Sequence, residues 1–174
     1  RVFTDTTKYF ILKNKLDLIS FSFSFEFDFL NVFNMLKKYN IPFFADERNE
    51  NDPLIMGGGA VLTANPEPFY NIFDFIIIGD GEEIIVEIAD VLYKNKTLSK
   101  KEKLEKLAQI DGCYVPSVMK FEDVKRRIFK TTQCISSPIV TDNTAFSDTF
   151  LVEITRGCPF NCNFCMTSHI NNPP

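Results

Sequence analysis

The sequence predicts an α/β fold, a mainly parallel sheet with helices covering its faces. Three observations lead there: a strand-like alternation at residues 16–25, apolar stripes at helical spacing behind it, and glycine clusters directly after short apolar runs. Repeated strand–loop–helix units favour parallel strands, and ligands of such sheets gather at the carboxyl edge.

In LDLISFSFSF (residues 16–25), Ile19, Phe21, Phe23 and Phe25 fall on one face and Ser20, Ser22 and Ser24 on the other. That is the period of two of a half-buried strand. Asp28 then stands as a cap ahead of Phe29, Val32, Phe33 and Leu36, an i, i+3, i+4, i+7 stripe ended by Asn40-Ile41-Pro42. Residues 53–56 form a short apolar strand running into Gly57, Gly58 and Gly59, and NPEPF (residues 65–69) reads as a turn or a single helical turn. Residues 73–78 read as a buried strand stopped by Gly79-Asp80-Gly81. Glu82 and Glu83 suit the first turn of the next helix, whose apolar stripe is Ile84, Ile85, Ile88, Val91 and Leu92.

Only three or four strands are found before residue 95, so a further βα unit ahead of them is expected. Residues 97–110 read as a charged helix with a capping box, Ser99 with Glu102. Its lysines alternate with glutamates, which suits a solvated face better than a basic patch. Residues 111–143 are irregular, with a strand or hairpin expected around residues 114–129. TFLVEIT (residues 149–155) reads as another parallel-type strand, with a cysteine-rich loop at its carboxyl end.

Composition narrows the function classes. The chain has 174 residues, 45% of them hydrophobic, with a net charge of −4 and a mean hydropathy of −0.05. The acidic balance disfavours general nucleic-acid binding. The apolar runs are strand-sized and too short to span a bilayer, and no segment reads as a secretory leader. The expectation is a cytoplasmic, reducing setting, where clustered cysteines bind metal or do redox chemistry more often than they form disulfides. The chain opens on Arg1 and closes on Pro173-Pro174, and it reads as a fragment of a longer polypeptide.

Three of the five cysteines, Cys158, Cys162 and Cys165, lie within eight residues as C-x3-C-x2-C. An odd number so close together disfavours disulfides. Zinc is one reading, with His169, the only histidine, as a fourth ligand. The other is an iron–sulfur cluster: three thiolates on a 4Fe–4S cube leave one iron without a protein ligand, open to a small chelating molecule. Cys113 and Cys134 read as ordinary thiols. Gly79-Asp80-Gly81-Glu82-Glu83 reads as helix capping rather than a metal or phosphate loop. No catalytic side chain is identified.

The run Cys158-Pro-Phe-Asn-Cys162-Asn-Phe-Cys165, preceded by VEITRG, resembles the cluster loop of the radical S-adenosylmethionine (SAM) superfamily, with Phe164 at its aromatic position. DLISFSF, PLIMGGG, NPEPF, FIIIGDGEE and GCYVPS follow the order found in members carrying an N-terminal cobalamin-binding-type domain, an uncharacterised fusion group. The resemblance runs from about Leu16 onward. It implies a 4Fe–4S cluster on Cys158, Cys162 and Cys165 that binds SAM and cleaves it to a 5′-deoxyadenosyl radical, with Phe164 helping to position the adenine. It also implies an electron donor such as a ferredoxin or flavodoxin. Ser20 and Ser22, with Gly57, Gly58 and Gly59, resemble the positions that accommodate the nucleotide tail of cobalamin, although the D-x-H-x-x-G motif that supplies histidine to cobalt is absent.

The expected organisation is a flavodoxin/Rossmann-like, cobalamin-binding-type domain at residues 1–96 and a connector at 97–148. Residues 149–174 would hold the first strand and loop of a radical SAM partial TIM barrel. The expected function is part of a radical SAM enzyme of unknown substrate, inactive as this fragment alone. The alternative is a non-catalytic cobalamin-type or zinc-binding module.

Overall fold

The computed structural model describes residues 16–131, 133–137, 139–143 and 146–170. The first fifteen and last four residues of the expected domains lie outside the described residues. The chain divides into two compact units, Arg1–Phe129 and Lys130–Pro174.

The first unit carries strands β1 (Leu18–Ser22), β2 (Leu54–Gly58), β3 (Phe75–Ile77) and β4 (Cys113–Tyr114) in one sheet of order β1-β2-β3-β4. The first three are parallel, and β4 runs antiparallel to β3. Helix α1 (Asp28–Lys38) follows β1, the short α2 (Ala60–Ala64) follows β2, and α3 (Ile84–Lys94) and α4 (Lys100–Leu107) lie between β3 and β4. Single 3-10 turns stand at Ala45–Glu47, Glu67–Phe69 and Phe121–Asp123.

Alternation along the strands divides the apolar residues between two faces. Ile19, Ile55 and Ile76 pack with Val32 and Leu36 of α1 and Val61 and Leu62 of α2. Leu54, Met56, Phe75 and Ile77 pack on the other side with Ile84 and Ile88 of α3 and Leu104 and Leu107 of α4. Each fully buried side chain of this kind contributes about 1.5–3 kcal/mol of transfer free energy. The result is the predicted class, a Rossmann-like α/β unit with a mixed, mostly parallel sheet between helices.

Several local expectations change. Phe25 lies beyond the end of β1 and is 71% exposed. Asp28 does not cap α1. Its carboxylate accepts the amides of Ser24 and Phe25 at 3.0 Å each, ordering the loop that enters the helix. The helix stops where expected: Asn40 takes a left-handed φ of 55°, and the Ile41 and Asn40 amides bond the carbonyls of Leu36 and Lys37, the six-to-one and five-to-two pair of a Schellman stop. Ile85, at 39% exposure, falls off the buried stripe of α3. The Ser99–Glu102 capping box is formed as the sequence predicts.

Of the strand or hairpin expected around residues 114–129, a short strand forms at Cys113–Tyr114 and joins the main sheet. Cys113 and Tyr114 pair with Ile77 and Ile76, and Arg127 bridges Gly79 in parallel. The Arg127 amide donates to the Ile78 carbonyl at 2.9 Å.

The second unit contains β5 (Ile135–Ser136), β6 (Val152–Glu153) and α5 (Met166–Ile170). Of the strand expected at residues 149–155, Val152–Glu153 form β6, and the Leu151 carbonyl just before it accepts the Ser137 amide at 2.8 Å. This strand is antiparallel to β5, not parallel.

Candidate functional site

The cysteine loop begins directly after β6. Arg156 grips Glu153 through two bonds, Nε to Oε1 at 2.7 Å and Nη2 to Oε2 at 2.9 Å, the bidentate fork of a guanidinium on a carboxylate. Gly157 then turns the chain with a φ of 100°, a conformation that suits a residue without Cβ. Cys158 and Cys165 are half-buried, Cys162 is exposed, and all three are free thiols. The Cys165 amide donates to the Cys162 carbonyl at 3.0 Å and closes a turn over the C-x2-C arm. Phe164, inside that turn, is 93% exposed.

Helix α5 starts at the next residue. Its early backbone amides, Ser168 first and Thr167 after it, face the Cys165 sulfur and hold that thiol below its ordinary range. A thiolate is what a metal or cluster requires. By donor chemistry the residues fit an iron–sulfur group: three thiols on one loop, all reached by solvent, one already biased toward its anion. Among the described residues, no three Cys, His, Asp or Glu side chains are gathered at metal-holding distance. His169 is exposed on α5.

The second candidate, at the carboxyl edge of β1 and β2 in the first unit, separates into parts. Ser20 and Ser22 are exposed, and their register partners are Met56 and Gly58. Partners across parallel strands share a face, so Ser20, Ser22 and Gly58 stand together. Gly57 points the other way, into the core. A Cβ there would lie 2.7 Å from Leu62 Cδ1 and 2.9 Å from Phe73 Cδ2. Gly59 makes the strand-to-helix turn with a φ of 100°, and a Cβ there would meet the Phe23 carbonyl at 2.6 Å. A Cβ on Gly58 would touch only Ile77, at an ordinary 3.7 Å.

The Gly79–Glu83 loop carries no side-chain helix cap. The Gly79 amide donates to Thr63 Oγ1 at 3.1 Å, and Asp80 Oδ2 accepts the Phe129 amide at 2.8 Å. Glu83 and Glu87 both pair with Arg127. These acids fasten the 125–129 segment to the loop after β3 and to α3.

Sequence reasoning missed a buried ionic network at the amino end of β3. Arg48 Nε donates to Asp74 Oδ2 at 3.1 Å with both side chains almost fully enclosed. Arg48 also donates to the carbonyls of Pro42, Phe43 and Ile72. Asp74 accepts the Ile55 amide at 2.7 Å and faces Lys100 Nζ at 2.8 Å. Burial lowers the Arg48 pKa, and the Asp74 carboxylate opposes that shift. A cleft of 720 Å³ opens beside the network, walled by Phe44, Tyr70 and Ser117. The available signal was Asp74 itself, an ionisable residue between Phe73 and Phe75.

Residues 7–116 match the family of radical SAM proteins, N-terminal. The chain belongs to that family. Among curated relatives, an uncharacterized protein of Methanocaldococcus jannaschii is 27% identical over 166 residues, covering 94% of this chain and 32% of that protein. The bacteriochlorophyllide d C-8(2)-methyltransferase of Chlorobaculum tepidum is 28% identical over 124 residues, covering 71% of this chain and 24% of the enzyme. The chain thus spans about a third and a quarter of these relatives' lengths. No solved structure matches it significantly. Among the described residues, no helix of this radical SAM chain is long and apolar enough to cross a membrane.

Proposed function

We propose that the whole protein is a radical SAM enzyme in which Cys158, Cys162 and Cys165 hold a 4Fe–4S cluster and leave one iron free for SAM. The observation that carries this is the loop of three solvent-reached free thiols in a chain whose residues 7–116 belong to the radical SAM family. Bound there, the cluster would supply the electron that cleaves SAM to a 5′-deoxyadenosyl radical. The chain's own residues bind and orient. The closed Cys162–Cys165 turn sets the spacing of two thiolates, and Cys158 completes the set. Ligand sites of this kind seldom stand assembled before the group binds, so gathering of the three sulfurs accompanies loading. Phe164, its ring free in solvent, offers a face for the adenine.

A second element of the reading concerns cobalamin. Ser20, Ser22 and Gly58 form an open polar face at the carboxyl edge, where ligands of α/β sheets bind. We assign the nucleotide tail to this face, with Gly59 beside it, and exclude Gly57, whose side is filled by Leu62 and Phe73. With a methyltransferase among the relatives, methyl transfer is the outcome to test first. The setting we propose is cytoplasmic, with a ferredoxin or flavodoxin as electron donor.

Anaerobic purification and reconstitution test the cluster. The expected result is a brown protein with matched iron and acid-labile sulfide, lost in the C158A/C162A/C165A variant. Bound zinc without sulfide, dependent on His169, would replace this reading with the zinc module. Titration with hydroxocobalamin tests the second element, and an unchanged cobalamin spectrum with no retention on a column removes it.

A further inference from the structure

Ser168 is the one polar side chain of the second unit that is buried among the described residues, at 1% exposure. It lies three residues past Cys165, and the reading above does not use it. Its hydroxyl lies 2.8 Å from the Cys165 carbonyl and 3.3 Å from the Cys162 carbonyl. The first contact alone is ordinary, since serines on helices often bond the carbonyl one turn back. The second is different. Cys162 precedes the helix, and its carbonyl already accepts the Cys165 amide. One buried hydroxyl therefore ties the first turn of α5 to the turn before it, across the whole C-x2-C arm. Cys158, at the other end of the loop, has no such tie through this hydroxyl.

We propose that Ser168 is a positioning residue that clamps the Cys162–Cys165 arm in the form that receives the cluster, by holding two carbonyls of that arm with one enclosed hydroxyl. The proposal rests on the cluster reading. Groups behind metal ligands orient them, and their removal costs about tenfold to a hundredfold in metal affinity. Without the hydroxyl, the arm keeps its thiols and the Cys165–Cys162 backbone bond but loses the second tie between its two ends.

The test compares the whole protein with its Ser168→Ala and Ser168→Thr variants after anaerobic reconstitution with ferrous iron and sulfide. Threonine can make the same backward bond. Four quantities are read: iron and sulfide per chain, the rate of iron loss to a chelator, the electron paramagnetic resonance spectrum of the reduced protein, and amide exchange at Cys165 without iron. Ser168→Ala is expected to load to the parent level, lose iron about tenfold faster, show a shifted spectrum and exchange the Cys165 amide faster. Ser168→Thr is expected to recover the parent rate and spectrum. Parent-like iron loss and spectrum in Ser168→Ala overturn the proposal. Fast loss with an unshifted spectrum and unchanged Cys165 exchange also overturns it, because the effect then arises elsewhere. If the parent takes up no iron and sulfide, the cluster reading falls first and the clamp with it, a result distinct from a parent-like variant.

Discussion

Replacing Arg48 with Met probes the most enclosed electrostatics of the first unit. The change removes four donations: one to Asp74 and three to the carbonyls of Pro42, Phe43 and Ile72. The Asp74 carboxylate stays buried, with the Ile55 amide at 2.7 Å and Lys100 at 2.8 Å as its remaining partners. Removing one member of a buried pair typically costs about 3–5 kcal/mol, because the charge left behind is unpaired. Lys100 offsets part of that, so the lower end applies, about 3 kcal/mol. For a chain of this size that is a fall in melting temperature of roughly 6–12 °C. Arg48→Lys restores a charge opposite Asp74 but cannot also reach three carbonyls in different directions, so it should fall between the two. Circular dichroism melts and urea titrations measure both. A loss under about 1 kcal/mol for Arg48→Met, the range of an exposed pair, would refute the assignment of this network to the buried interior.

Three further outcomes follow from particular contacts. Gly57→Ala should destabilise by about 1–3 kcal/mol through overpacking, because Leu62 and Phe73, the neighbours it would strike, are themselves fully enclosed; denaturant titration reads this directly. Ser99→Ala removes one half of the capping box on α4 and should lower the melting temperature by about 2–4 °C. Burial pushes the Cys113 thiol from 9.0 up to about 12, and Tyr114 is pushed up as well, by burial first and then by its bond to Glu67. Above pH 9 the unfolded chain releases the Cys113 proton while the folded chain keeps it. Stability is therefore unaffected by this thiol below pH 9 and declines from there toward 12, by up to about 1.4 kcal/mol per pH unit. A urea midpoint that holds constant from pH 8 to 11 contradicts that sign.

Local chemistry was legible in the sequence, and distant pairing was not. The period of two placed β1, and the Ser99–Glu102 capping box was readable because both partners lie within one turn. Asp28 looked like a cap by the same logic, yet its carboxylate turned back to the Ser24 and Phe25 amides, a choice that depends on how the loop leaves β1. Cys113 and Tyr114 became a strand only through Ile76 and Ile77, nearly forty residues upstream. Arg48 and Asp74 are 26 residues apart, in segments with no shared pattern. The cysteine spacing could be read off the letters and is the ground for the cluster proposal, while the Ser168 tie required knowing that a five-residue helix begins at Met166.

The run of three glycines shows how far register changes a motif's meaning. Read as letters, Gly57, Gly58 and Gly59 are equivalent candidates for contact with a ligand. In the sheet, Gly57 is required by Leu62 and Phe73 and Gly59 by its φ of 100°, so their glycines are explained without any ligand. Gly58 is not explained in that way. A Cβ there meets only Ile77 at van der Waals distance, and β-branched residues favour strands where glycine does not. That makes Gly58 the position where binding and folding come apart. Gly58→Val should melt at or above the parent temperature while closing the face shared with Ser20 and Ser22. If the parent retains hydroxocobalamin and Gly58→Val does not, the bare face serves a ligand. Equal retention by both would show that the nucleotide tail, if held at all, is held elsewhere.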